Sequence, residues 1–310
     1  MLSKKIAIIV NPNAGNGSTG AEWPGLREFA RTRLGHFKEY LTSGPGDAKL
    51  ITQNVVGQGA ELVVCVGGDG TFNEVVNGVM AHDASVRSGL LLGFVPDGTG
   101  CDFVRTVPIS RNIYRAIDLI SSGNVRCIDV GRLLYRDHRG RNACCYFHNI
   151  TSFGLGGEVD DRVNRTTKAF GPFLSFIWAT LISIFLYGKK RIWLKIDDGV
   201  EEAFFIWNVA VANGQYHGGG MRVAPDAAID DGLFDITVLG NLSLPEVFLN
   251  LPRLYSGKIK EVKKVICFSG KRVEAFSNEC VLLDVDGEQP GMLPAVLEIV
   301  PHALNIIAEK

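Results

Sequence analysis

Along the first third of the chain, short runs that are apolar throughout alternate with stretches in which apolar residues recur every three to four positions. A continuous run rich in Val and Ile marks a strand buried on both faces, and the wider spacing marks a helix with one buried face. Strands are therefore expected at residues 5–10, 37–41, 62–66 and 90–95, with helices at 21–34, 47–56, 71–80 and 112–121. Strand alternating with helix predicts an α/β domain, a Rossmann-like parallel sheet covered by helices. Each apolar run ends in Gly, Asn, Asp or Pro, and in open α/β sheets the carboxyl ends of the strands are where ligands bind.

Beyond about Asp129 the texture changes to short alternating strands with frequent glycines, at 192–196, 204–212, 234–239 and 281–285. That alternation predicts a mostly antiparallel β-sandwich as a second domain. The expected division is 1–130, with the tail 300–310 returning to it, and 131–299. A length of 310 residues accommodates two cores of that size. Residues 170–187 carry no charge and approach the length that spans a bilayer. Three readings stay open: a spanning helix, a buried core helix, and, favoured, a helix lining a lipid cleft or touching the membrane surface.

Composition narrows the function. The chain is 46% hydrophobic and 21% charged with a formal net charge of −1, which excludes the basic excess of a nucleic-acid-binding protein. The seven cysteines are odd in number and never spaced Cys-x-x-Cys, as expected of free thiols in a reducing compartment without a zinc site. Asn11 and Pro12 end the first apolar run too early for a signal peptide, so a cytoplasmic protein is expected. His36, His148 and His217 have no metal-ligand spacing and receive no catalytic role.

The strongest chemical signal is Gly67-Gly68-Asp69-Gly70-Thr71, which follows an apolar strand and opens a helix. Glycines let the backbone approach phosphate oxygens, and the free N–H groups of the helix's first turn point at the anion. Asp69 would repel a triphosphate unless a magnesium ion stood between them. The plainer alternative is a tight turn with Asp69 capping the helix. Two further turns, Asn11-Pro12-Asn13-Ala14-Gly15 and the segment from Pro96 to Asp102, are expected at the same sheet edge.

These residues resemble the bacterial diacylglycerol kinase and YegS-like lipid kinases, which share a catalytic domain with sphingosine and ceramide kinases. The resemblance runs over nearly the whole chain and rests on GGDGTFNEVVNG (67–78), NPNAG (11–15), LTSGPGDA (41–48), PDGTGCDF (96–103), VAPDAAIDDGLFDI (223–236) and VDGE (285–288). It implies a NAD-kinase-like first domain and ATP lying along Asn11, Pro12, Asn13, Ala14, Gly15, Thr42, Gly67, Gly68, Asp69, Gly70, Thr71, Asn73, Glu74 and Thr99. Lipid specificity would come from the second domain. A magnesium ion is implied on the carbonyls of Ala228 and Leu233 and the carboxylate of Asp231, with an ordinary Asp-Asp-Gly turn as the alternative. The proton acceptor is assigned to Asp286-Gly287-Glu288. Glu288 is favoured, with Asp286 holding magnesium or phosphate together with Asp69 and Asp129; a plain hairpin turn is the alternative there.

The expectation is thus an ATP- and Mg²⁺-dependent kinase acting on a lipid hydroxyl, diacylglycerol first, peripheral at the membrane through transient surface contact and a possible homodimer. Three positions depart from the family pattern: Asn16 stands where a lysine is frequent, Cys101 where asparagine is usual, and Asp97 puts an acid beside Thr99. They motivate one rival, a non-catalytic nucleotide-gated lipid-binding protein. The other rival is a NAD kinase, which uses a similar glycine loop on a soluble dinucleotide.

Overall fold

A computed structural model describes residues 4–98, 100–165 and 182–310 of the chain. It divides into two compact units: Met1–Val130 with Pro301–Lys310, and Gly131–Val300.

The first unit is built on four parallel strands, β1 (Ile6–Val10), β2 (Lys38–Leu41), β3 (Leu62–Gly67) and β4 (Leu91–Pro96), in the order β2-β1-β3-β4. Asn305 and Ile306, from the end of the last strand, extend it beside Leu91 and Leu92. Every residue of β3 is buried, as its unbroken apolar run predicts for a central strand. Helices α1 (Ser18–Leu34), α2 (Asp47–Gly57), α3 (Asp69–Met80) and α6 (Ile113–Ser122) stand where the helical spacing places them. The short α4 (Ala84–Ser88) and α5 (Phe103–Thr106) are too brief to carry a period. Two helix pairs form, α1 with α6 and α2 with α3. In the second pair a Cβ on Gly78 would sit 2.5 Å from the Thr52 side chain and 2.7 Å from the Lys49 carbonyl, so only glycine permits that approach.

The second unit is a sandwich of antiparallel strands. One sheet runs β12 (Val265–Gly270), β11 (Phe234–Leu239), β10 (Asn208–Ala212), β7 (Ile150–Gly154), β14 (Leu283–Val285). The other contains β15 (Gly291–Ala308), β13 (Arg272–Phe276), β8 (Lys190–Ile196) and β9 (Glu202–Ile206), and β5 (Asn124–Asp137) pairs with β6 (Asn142–Phe147). Inner-face side chains of both sheets, among them Phe153, Val209, Ile236, Leu194, Val273 and Leu297, make one continuous core.

One expectation is corrected here. The run 204–212 is not one strand: β9 and β10 lie in different sheets. Trp207 makes the crossing, with its amide bonded to the Leu239 carbonyl at 2.8 Å and its indole Nε1 donating to the Leu242 carbonyl at 2.8 Å. Buried positions accordingly change parity, from Ile206 to Val209 and Val211. The span 291–308 carries Pro294 and Pro301 and forms the longest strand, β15. Of residues 170–187, 182–186 are helical and Ile184 and Tyr187 pack against Trp207 and Leu242; the rest, up to 181, lies outside the described residues. Among the described residues no helix is long and apolar enough to cross a membrane.

Candidate active site

The loop Gly67–Thr71 takes its shape from the core beneath it. Phe72, fully buried in the first turn of α3, stacks on Phe94 of β4 with centroids 4.5 Å apart and lies 5.2 Å from Phe103 of α5. Gly68 is the extended N-cap, so Asp69 already belongs to the helix, two residues earlier than its apolar spacing indicates. Gly67, Gly68, Asp69, Gly70 and Thr71 therefore form a strand-to-helix joint whose free amides face outward along the helix axis. The Asp69 carboxylate accepts the amide of Asp102 at 3.2 Å, which ties the loop after β4 to the loop after β3. The two chains touch through glycines: a Cβ on Gly98 would fall 2.7 Å from the Gly68 Cα.

The loop after β1 joins them. The Asn11 amide donates to the Val66 carbonyl at 2.9 Å, and Asn11 Nδ2 donates to Thr71 Oγ1 at 2.8 Å. Pro12, Asn13 and Ala14 continue into a turn in which Gly15, Asn16 and Gly17 all have left-handed φ, at 57°, 59° and 91°. Asparagine adopts that conformation more readily than lysine, which accounts for Asn16. Asp97 is held at the amino end of α1, accepting from Thr19 Oγ1 at 2.6 Å and Ser18 Oγ at 3.4 Å. A carboxylate there is favoured by the helix dipole, so this acid braces two loops against each other. Thr42, buried, follows β2 with its amide on the Val10 carbonyl at 2.9 Å. Glu74 accepts the amides of Gly46 at 2.7 Å and Ala48 at 3.0 Å, and so caps α2. Asn73 accepts from Asn77 Nδ2 on the same helix. Thr99 lies outside the described residues.

Cys101 sits buried at φ 47°, and its thiol donates to the Gly98 carbonyl at 3.2 Å. Burial, and then the Asp69 carboxylate, push the thiol up to about 11, which keeps it protonated and unreactive at neutral pH. Left-handed φ costs a residue with an ordinary Cβ about 1–2 kcal/mol and asparagine less. Cys101→Asn keeps a donor for Gly98 and should stabilise the first unit by roughly 1 kcal/mol. Thermal melting checks this, and a lower midpoint would count against the strain account.

In the second unit, Asp286 and Gly287 have φ of 50° and 88° and form the type I′ turn of a two-residue hairpin. Val285 and Glu288 close it, with amide-to-carbonyl bonds of 2.8 and 3.0 Å. The turn is also a polar knot. The Asp286 carboxylate, buried, accepts the amides of His148 at 3.0 Å, Asn149 at 3.2 Å and Ile150 at 2.8 Å. His148 Nδ1 lies 2.8 Å from it. Burial pushes the carboxyl up, but the His148 imidazole and these amides outweigh burial and leave it below the usual range. Glu288, beside it, is exposed.

Among the described residues no group of three or more His, Cys, Asp or Glu side chains is arranged to hold a metal ion. Asp69, Asp129 and Asp286 each accept a backbone amide, that of Asp129 being the His302 amide at 2.7 Å in the returning tail. The turn 228–233 is of another kind. Asp231 Oδ1 accepts the Leu233 amide at 3.0 Å, and burial followed by the charge of Asp231 raises the carboxyl of half-buried Asp235. Asp231 and Asp235 thus put two mutually repelling carboxylates in and just after this turn, oxygen donors of the type a hard cation takes.

One grouping has no sequence signal. His217 Nε2 lies 2.7 Å from Asp284 Oδ2, and Ser152 Oγ donates to the same oxygen at 3.1 Å. These residues come from distant parts of the chain, and no spacing announces them.

Comparison with known proteins places this geometry. Residues 5–133 match the diacylglycerol kinase catalytic domain, and residues 149–308 match the YegS C-terminal NAD kinase beta sandwich-like domain. The chain is 28% identical over 298 residues to the diacylglycerol kinase of Staphylococcus carnosus (strain TM300), covering 95% of this chain and 92% of that one. It is 28% identical over 311 residues to the diacylglycerol kinase of Staphylococcus aureus (strain bovine RF122 / ET3-1), covering 99% and 93%. In fold it is similar to a crystal structure of a diacylglycerol kinase from Bacillus anthracis str. Sterne, at TM-score 0.71 and 21% identity over 100% of this chain and 98% of that one. Yeast NADH kinase is a more distant likeness, at TM-score 0.50 and 12% identity over 99% and 84%. The two domain matches together span nearly the whole chain, and the chain belongs to the diacylglycerol kinase family of lipid kinases, which transfer phosphate to an alcohol.

Proposed function

We propose that this kinase takes the γ-phosphoryl group from ATP and transfers it to the hydroxyl of a membrane lipid, diacylglycerol first among them. The observation that carries this reading is the set of glycine turns after β1, β3 and β4, bonded to one another through Asn11–Thr71 and Asp69–Asp102. The first-turn amides of α3 would receive the phosphates, with the Asn11 to Gly15 turn, Thr42 and Thr99 around the nucleotide. Glu74 holds the start of α2 in place.

Transfer breaks the lipid O–H bond and the bond between Pγ and its bridging oxygen, forms the new O–P bond, and releases ADP. Glu288 is the proton acceptor in this reading, since its carboxylate is exposed on a hairpin that Asp286 holds rigid. A magnesium ion would neutralise phosphate charge near Asp69; a second would be held by Asp231 and the carbonyls of Ala228 and Leu233. Exposed Phe185, Leu186 and Leu249 in the second unit supply an apolar surface for transient contact with a bilayer.

Protein supplied with Mg²⁺ and ATP labelled at the γ-phosphate should phosphorylate diacylglycerol in phospholipid vesicles and co-sediment with them. Label on NAD and on no lipid would overturn the reading in favour of a NAD kinase. Tight ATP binding with no transfer across a panel of hydroxylated lipids would leave a binding protein.

A further inference from the structure

In the first unit both β1 and β2 begin on basic residues, Lys4-Lys5 before the one and His36-Phe37-Lys38 leading into the other. The parallel register that sets Ala7 against Lys38 brings these two tracts side by side. Together with Tyr40 of β2 and with Val55 and Gln58 at the end of α2, they line a cleft of about 710 Å³, its open mouth included. That is within the range of sites for small molecules. The cleft lies toward the amino ends of the strands, whereas the glycine turns follow their carboxyl ends. At about 3.3 Å per residue, the five residues of β1 put roughly 15 Å between the two places.

Among the described residues no acid lines this cleft, and none of Lys4, Lys5, His36 and Lys38 forms an ion pair. The neighbouring acids are engaged elsewhere. Glu39, next to Lys38 and therefore on the other face of β2, accepts from Trp23 Nε1 and Arg27 Nη1 of α1 at 3.0 and 3.2 Å. Glu61 accepts the backbone amide of Lys5 at 2.8 Å. Three ammonium groups around one cleft repel one another, and a bound anion replaces that repulsion with attraction. A carboxylate brings a single negative charge, whereas a phosphate monoester brings about 1.5–2 at neutral pH and three oxygens for lysine donors. Half-buried Phe37 and Tyr40, with buried Val55, add an apolar wall that a bare ion would leave unused.

We propose that this cleft is a second anion site, separate from the glycine turns, which takes a phosphomonoester carried on an apolar or aromatic body. Lys5 and Lys38 receive the phosphate, and Phe37 and Tyr40 pack against the body. The inference goes beyond the kinase reading, which places no ligand at this end of the sheet, and its test reads binding and not phosphoryl transfer. The phosphomonoester could be a soluble metabolite or the head of a lipid, and the two sources are separated below.

Phenyl phosphate titrated into the full-length protein, with Mg²⁺ and a non-hydrolysable ATP analogue present in excess, should shift the amide resonances of Lys5, Lys38, Tyr40 and Gln58 in a saturable manner. Inorganic phosphate should shift the same resonances with at least threefold weaker affinity, and benzyl alcohol, which lacks the charge, should not shift them. Charge reversal by Lys5→Glu with Lys38→Glu should weaken phenyl phosphate at least tenfold. Both side chains are exposed, so the melting midpoint should stay at the parent value; Lys5→Gln with Lys38→Gln serves if the reversed pair fails to fold. Vesicles of phosphatidylcholine with dioctanoyl phosphatidate then identify the source. Displacement of phenyl phosphate by these vesicles, and not by phosphatidylcholine alone, assigns a lipid head, and undisturbed binding assigns a soluble ester. Shifts confined to the glycine turns, no saturable shift at residues 5, 38, 40 and 58, or an affinity unchanged in both lysine pairs would overturn the proposal. None of these results depends on whether lipid is phosphorylated, so the kinase reading stands or falls separately.

Discussion

Asp286→Asn should lower the unfolding free energy of the second unit by about 3–5 kcal/mol near neutral pH, the usual result of breaking a buried ionic group. The substitution preserves shape and leaves one oxygen for the amides of Asn149 and Ile150. The other oxygen becomes an NH₂ group facing the His148 amide and Nδ1, so a donor confronts the His148 amide in a buried site. The pH dependence has a definite sign. The folded carboxyl lies below its ordinary value, so its stabilisation is complete above the unfolded value of about 3.9 and is lost as pH falls through the lower, folded one. Urea titrations of both proteins should show a wide gap at pH 7 that narrows below about pH 4. A gap independent of pH would show that the carboxylate charge contributes nothing, and a gap under 1 kcal/mol would remove Asp286 as the anchor of the hairpin.

Glu288→Gln should reduce kcat by about 10²–10⁴-fold, the usual contribution of a general base. Thermal stability and ATP affinity should stay at the parent values. The side chain is exposed, the turn that carries it is set by Asp286 and Gly287, and the amide is isosteric with the carboxylate, so the hairpin keeps its shape. The acid limb of the pH–rate profile should flatten with the loss in rate. A kcat within fivefold of the parent would move the proton acceptor away from Glu288. A matching loss of ATP affinity would show instead that the residue acts through the nucleotide.

The three departures from the family pattern bear on whether such activity is expected at all. Asn16 and Cys101 occupy left-handed backbone positions, and Asp97 braces the turn after β1 through Thr19. None displaces a glycine of the phosphate loop. Asp97 in particular binds two loops together instead of projecting an uncompensated charge.

The α/β half was legible because its signals are local. A buried strand, a glycine joint and an amphipathic helix each declare themselves within a dozen residues, and β3 through α3 needed only a two-residue shift at Asp69. The antiparallel nature of the second half was legible for the same reason, since alternation is a property of each strand alone. Partner choice was not. The division of 204–212 between two sheets turns on a parity change at Trp207 that both halves satisfy against one core, and β15 runs past two exposed prolines that lie outside its registers with β13 and β4. The Asp-Gly-Glu hairpin was visible as a turn, but its anchoring by residues 148–150 was not, nor was the pairing of His217 with Asp284. Sequence by itself determined where backbone can bend or cross a core, because those follow from neighbouring residues. Only the tertiary structure decided which acid meets which imidazole, because a hydrogen bond acts over about 3 Å and carries no record of the chain length folded between its ends.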